Sequence, residues 1–123
     1  MSTTSYHIII VDDQSGVRGV LARVVARTYP AVTITALGNG QEALQVFDQY
    51  GCDLLITNYR MPGLTGIELI REVRARTSTL PIVMVSADRS IEPLALAAGA
   101  TRFVEKPFTI PELAQVLRSL LPS

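Results

Sequence analysis

The chain has 123 residues, 48% of them hydrophobic and 18% charged, with eleven basic side chains matched by eleven acidic ones. This composition gives room for one well-filled core, excludes a disordered chain, and, with no run of Lys or Arg, argues against a nucleic-acid or anionic-membrane surface. A single cysteine, Cys52, excludes an internal disulfide, no apolar stretch nears the roughly 20 residues of a bilayer span, and no signal-peptide pattern opens the chain, so a cytoplasmic location is expected.

Met1 to Tyr6 is polar and reads as a frayed tail. His7-Ile8-Ile9-Ile10-Val11 is an apolar, β-branched strand that ends in the acidic pair Asp12-Asp13. His7, the one histidine, sits at the far end of that strand with no second ligand near it. Val17, Val20, Leu21, Val24 and Val25 then repeat at helical spacing, with Ser15 as the expected N-cap and Pro30 as the stop. Val32 to Ala36 is the second strand, Asn39-Gly40 a turn, and Ala43, Leu44, Val46 and Phe47 mark a second helix stopping before Gly51.

Cys52 to Gly66 holds the third strand, Leu54-Leu55-Ile56, which stops at Asn58 before Met61-Pro62-Gly63 forces a turn. Cys52 itself reads as a small buried hydrophobe. Thr65-Gly66 starts a third helix with Ile67, Leu69, Ile70 and Val73 inward and Glu68, Arg71, Glu72, Arg74 and Arg76 outward. Pro81 to Val85 is the fourth strand, ending at Ser86-Ala87-Asp88, and a fourth helix runs from about Ile91 to Ala98, closing at Gly99. Thr101 to Val104 is the fifth strand, ending at Glu105-Lys106-Pro107, and a last helix starts near Pro111.

Five strands alternating with five helices read as an α/β domain over 1–123: a doubly wound, five-stranded parallel sheet with helices on both faces. Residues 122–123 could begin a linker. A flavodoxin-like order 2-1-3-4-5 is the best match, since five strands are too few for an eight-fold barrel. In that order the carboxyl ends of neighbouring strands bring Asp12, Asp13, Asn58, Ser86 and Lys106 to one shallow pocket. Two carboxylates, an amide oxygen and a free backbone carbonyl form an all-oxygen set suited to a hard divalent ion. A hydroxyl and an ammonium beside them suit phosphoryl oxygens.

Val11-Asp12-Asp13, Met61-Pro62-Gly63 with Gly66, Ser86-Ala87, Ala98-Gly99-Ala100 and Lys106-Pro107-Phe108 occur in one order along nearly the whole chain. On these residues the chain resembles the receiver domains of bacterial two-component response regulators. That family accepts a phosphoryl group from a kinase phosphohistidine onto an aspartate at the end of strand three, with Mg2+ held beside it. The resemblance implies Asp13, Asp12 (through water), Asn58 and the backbone carbonyl of Arg60 as metal ligands. It implies Ser86 as the hydroxyl that swings toward phosphate, Phe103 as the ring that follows it inward, and Lys106 as the phosphate's cationic partner. It also implies a cis Lys106-Pro107 bond.

The departure is at Asn58, where the family has its accepting aspartate. An amide oxygen has its lone-pair density drawn into C–N resonance, and no neighbour can turn it into an activated nucleophile. Asp53 is no substitute, lying five residues away or roughly 16 Å at strand rise. Asp88 is in a loop, and Thr57 points to the opposite side of the sheet. Removing a carboxylate forgoes about 8 kcal/mol of gross attraction to a divalent ion at about 4 Å and an effective dielectric near 20, offset by the remaining oxygen contact. Mg2+ is therefore expected to bind weakly or not at all, and Lys106 to turn toward Asp12 or Asp13.

The expected function is a phosphorylation-incompetent receiver in a phosphorelay, acting as a protein-interaction module and not as an enzyme. Its partners would be a histidine kinase, an output domain or a second copy of itself, met through the fourth helix, fifth strand and last helix, with no nucleic acid or membrane bound. The fourth helix is apolar on more than one face, which hints at a contact patch there. The alternative is an ordinary phosphoacceptor receiver carrying an engineered Asp-to-Asn change at 58. A small flavodoxin-like binding protein is disfavoured, because Asp12-Asp13 would repel an anion where that fold cradles phosphate.

Overall fold

The alternating periods in the sequence become two separate apolar layers on one sheet. The computed structural model describes residues 5–123 and gives strands β1 (Tyr6–Val11), β2 (Val32–Leu37), β3 (Leu54–Thr57), β4 (Ile82–Ser86) and β5 (Arg102–Glu105). Helices α1 (Ser15–Thr28), α2 (Gly40–Tyr50), α3 (Gly66–Arg74), α4 (Glu92–Ala98) and α5 (Ile110–Leu120) alternate with them. All neighbouring strands are parallel, in the order β2-β1-β3-β4-β5.

Because side chains alternate along a strand, β1 sends Ile9 and Val11 to one face and Ile8 and Ile10 to the other. The first set packs with Leu55, Ile82 and Met84 under α2, α3 and α4. The second packs with Leu54, Ile56, Val83 and Val85 under α1 and α5, through Leu21, Val24, Val25, Leu113 and Leu117. The inner strands β3 and β4 are buried along their whole length, which is why they read as unbroken apolar runs.

Local chemistry sets the helix starts. Thr65 caps α3 with a reciprocal box: its hydroxyl accepts from the Glu68 N–H while Glu68 accepts from the Thr65 N–H. Asn39 caps α2 and Thr109 caps α5 in the same way from one side. Gly66 is fixed by packing, since a Cβ there would lie 2.0 Å from the Asn58 carbonyl oxygen.

Several expectations need correction. Ser15 is not the N-cap of α1; Gln14 occupies that position without a side-chain bond, so the helix starts one residue earlier than a capping serine would have it. Val20 is exposed at 39%, because α1 turns it away from the sheet and toward solvent. The fourth helical segment opens with a 3-10 turn at Arg89–Ile91 before α4 begins. Arg74 does not point outward: its Nε donates to the Gly99 carbonyl, and its Nη1 is buried without a partner.

Of the expected frayed tail, residues 1–4 lie outside the described residues, while Tyr6 forms the first rung of β1 opposite Val32. Its hydroxyl donates to the Pro122 carbonyl at 2.6 Å, and the hydroxyl of Tyr29 donates to the Leu121 carbonyl at 2.8 Å. The two rings meet edge to face, 5.4 Å between centroids. Tyr6 thus holds Pro122, in the segment expected to start a linker, and Tyr29 holds Leu121 just before it.

Candidate functional site

The last rungs of the ladder put four strand ends in line. Asp12 N–H donates to Leu37 O, Asn58 N–H to Val11 O, and Lys106 N–H to Ser86 O. These bonds extend the sheet pairing one residue past the strands, so the side chains that follow emerge along a single carboxyl edge. Asp13, Asn58, Arg60, Ser86, Asp88 and Lys106 line one open cleft there of about 600 Å3.

Asp12 is fully buried. Its Oδ1 accepts from the Gln14 N–H at 2.9 Å and its Oδ2 faces Lys106 Nζ at 3.2 Å. The Arg18 guanidinium holds its main-chain carbonyl at 2.7 Å, tying α1 back onto the β1 end. A buried carboxylate needs that degree of pairing to remain in a low-dielectric site. Lys106, at 20% side-chain exposure, spans the cleft to provide it, which is the pairing expected of a lysine with no third carboxylate to meet. The Lys106-Pro107 peptide is cis.

Asp13 is exposed beside the cleft. Asn58 stands opposite, its Nδ2 donating to the Arg60 carbonyl at 3.0 Å and lying 3.5 Å from Asp13 Oδ1. The Arg60 side chain reaches away, its guanidinium 3.7 Å from Asp88 and 5.9 Å from the centre of the Tyr59 ring. Ser86 is buried, and its hydroxyl accepts from the Asp88 N–H. Asp88 caps the following 3-10 turn, and those bonds from Ser90, side chain first and then backbone, hold its carboxyl below the ordinary value, with Arg60 adding to them.

Asp12, Asp13, Asn58, Arg60, Ser86 and Lys106 are thus brought together. Phe103 is not: it packs against the core under α2 to α4 and lines a separate hollow with Glu92, Glu105 and Val116. Asp53 is at the opposite end of β3, where its carboxylate accepts from the His7 N–H. The His7 ring joins Gly51 O and Thr35 Oγ1, a structural link far from the cleft. Thr57 turns its hydroxyl onto the Asn58 carbonyl and is buried on the other face.

Two features were not legible beforehand. Gln14 and Ala87 also line the cleft, through backbone position more than residue type. An apolar groove of about 940 Å3 adjoins it, lined by Val17, Val20, Pro107, Phe108 and Ile110 beside Asp13 and Lys106.

No group of three or more His, Cys, Asp or Glu side chains is placed to hold a metal among the described residues. No helix among them is long and apolar enough to cross a membrane. The family model for the response regulator receiver domain matches residues 8–118. Chemotaxis protein CheY of Pseudomonas aeruginosa is 37% identical over 115 residues, covering 90% of this chain and 89% of that one. The probable transcriptional regulator ycf27 of Cyanidium caldarium is 33% identical over 118 residues, 94% of this chain but 46% of its own length. Among solved structures, the response regulator TrrA of Thermotoga maritima, in complex with Mg2+-BeF, superposes with a TM-score of 0.85 at 30% identity, covering 94% of this chain and 98% of that chain. Against the first curated relatives the chain spans about half of their length or less.

Proposed function

The chain belongs to the response regulator receiver family, the signalling domains of two-component systems, and from that premise we propose that it is a receiver that cannot take up a phosphoryl group. The observation that carries this reading is the side chain at the end of β3. Asn58 sits at the cleft position between Asp13 and the Arg60 carbonyl, with Ser86 and Lys106 lining the same cleft. Phosphoryl acceptance there requires an anionic oxygen aimed at phosphorus. The carboxamide has none, and its nitrogen, not its oxygen, is the atom engaged with Asp13 and Arg60.

The remaining furniture of the site has clear roles. Asp12 orients the loop through Gln14 and neutralises Lys106. Lys106 is the one cation lining the cleft besides Arg60, and Arg60 is turned out toward Asp88. Ser86 is positioned by the Asp88 N–H and lines the cleft with its hydroxyl. Receivers bind Mg2+, as the TrrA complex does. The donor set here does not fit that ion as arranged, because Asp12 is committed to Lys106 and amide hydrogens face the Arg60 and Asp13 oxygens. Mg2+ binding is accordingly weak or lost.

Receivers work by meeting histidine kinases and output domains. Without a covalent group, any change of state must come from a partner's different affinity for two conformations. We place that contact, in the cytoplasm, on α4, β5 and α5. On α4, Leu94 and Leu96 are exposed at 55% and 45% while Ala95, with Ile91 of the preceding 3-10 turn, carries the packing, an arrangement that leaves apolar surface for a partner or a second copy.

The test is chemical. Protein incubated with acetyl phosphate and Mg2+ should keep its intact mass. An acid-stable, base-labile gain of one phosphoryl group mapped to position 58 would end this reading.

A further inference from the structure

The edge of the Asn58 amide that faces the cleft meets only acceptors. The Arg60 carbonyl and the Asp13 carboxylate present oxygen acceptors. The group turned toward them is the NH2, which supplies the donors those oxygens accept. Nδ2 lies 3.0 Å from Arg60 O and 3.5 Å from Asp13 Oδ1. Those two oxygens, on the loops after β3 and β1, are two of the ligands that the resemblance assigns to a metal ion.

We propose that the Asn58 NH2 replaces the cation: it links the two loops as a divalent ion would, and so leaves the pocket closed on itself and indifferent to Mg2+. The inference rests on the receiver reading of this site, but not on the loss of phosphoryl acceptance. Charge supports it. With an aspartate at 58, three carboxylates would face one ammonium, leaving a net charge of about −2 whose repulsion a divalent ion relieves. With the amide, Asp12 and Lys106 pair internally at 3.2 Å and only the exposed Asp13 is left over. The electrostatic demand for a cation is largely gone. Geometry opposes it as well, since a cation at Arg60 O and Asp13 Oδ1 would meet N–H hydrogens until the amide turned over and gave up its bond to Arg60.

Thermal unfolding in EDTA and in Mg2+ separates this device from a merely weakened metal site. The wild-type chain should melt at the same temperature in both. Asn58→Asp should melt several degrees lower than wild type in EDTA and regain that loss, saturably, on adding Mg2+. Asn58→Ala should melt lower in EDTA and gain nothing from the metal. A saturable Mg2+ shift in the wild type, or an alanine variant as stable as wild type in EDTA, overturns the proposal. If a variant does not fold, the wild type alone decides. The two Asn58 side-chain N–H signals in a nitrogen–proton correlation spectrum should exchange slowly with solvent and stay fixed through a Mg2+ titration; signals that move with added metal contradict the assignment. A wild type that ignores Mg2+ yet gains a phosphoryl group would keep this inference and end the functional one. A wild type that binds Mg2+ without gaining the group would do the reverse.

Discussion

Asparagine and aspartate have nearly the same shape, so position 58 changes the chemistry of the cleft while leaving its outline intact. The effect is transmitted to Lys106 and Asp12, whose pair spans the cleft with the carboxylate 1% and the ammonium side chain 20% exposed. Removing one member strands the other. Lys106→Met should cost about 1–3 kcal/mol in urea unfolding, because Asp12 keeps its backbone donor from Gln14 but loses its counter-charge. Adding Asp12→Asn to that variant should recover part of the loss, and a double-mutant cycle with no coupling would show that the pair contributes nothing. Cys52 gives a prediction of a different kind. Burial pushes its thiol up to about 12, so at neutral pH the nucleophilic thiolate is scarce. Native protein should react with iodoacetamide far more slowly than urea-unfolded protein, and equal rates would place the thiol in solvent.

Among the elements, α3 depends most on a few specific side chains. The Thr65 backbone N–H and then the Thr65 hydroxyl hold the Glu68 carboxyl below its ordinary value. A carboxyl lowered in the folded state contributes stability that is present above its unfolded pKa and is lost as pH falls through the folded one. Glu68→Gln should therefore lower stability at pH 7 and converge with wild type as pH falls below about 4.5, flattening the acid side of the stability curve. Thr65→Ala should cost about 1 kcal/mol by removing the cap. Gly66→Ala should be worse, at about 3 kcal/mol or more, because the new methyl group would overlap the main-chain carbonyl of Asn58.

These elements also show where the sequence speaks and where it stays silent. Strands β3 and β4, buried on both faces, were legible as apolar runs, and Thr65-Gly66 as the start of a helix. Strand order and the carboxyl-edge cluster followed from the alternation and the family likeness. What escaped was set by tertiary contacts that leave no local pattern. Arg74 looks like any exposed helix charge until the α4 end arrives with the Gly99 carbonyl. Val20 fits the helical repeat yet ends in solvent. The direction in which the Asn58 amide points could not be read at all, since it is decided by where the Arg60 carbonyl and Asp13 come to rest.

At the scale of the whole molecule, the sheet separates two jobs. Its carboxyl edge carries the cleft, and its opposite end carries the strap formed by Tyr6 and Tyr29 on the Pro122 and Leu121 carbonyls. Burial raises the Tyr29 hydroxyl to about 12, with Tyr6 adding to it, so it remains a donor across the neutral range. Tyr29→Phe should cost about 1 kcal/mol and speed amide exchange at the C-terminal end of α5, leaving the cleft undisturbed. Unchanged exchange there would mean that the strap does not hold the chain after α5.

The measurement that bears most directly on the whole account is intact mass after parallel treatment of wild-type and Asn58→Asp protein with acetyl phosphate and Mg2+. The account predicts an unchanged mass for the first and a single base-labile phosphoryl group on the second. A phosphorylated wild type, or an aspartate variant that stays unmodified in an otherwise folded domain, would contradict it.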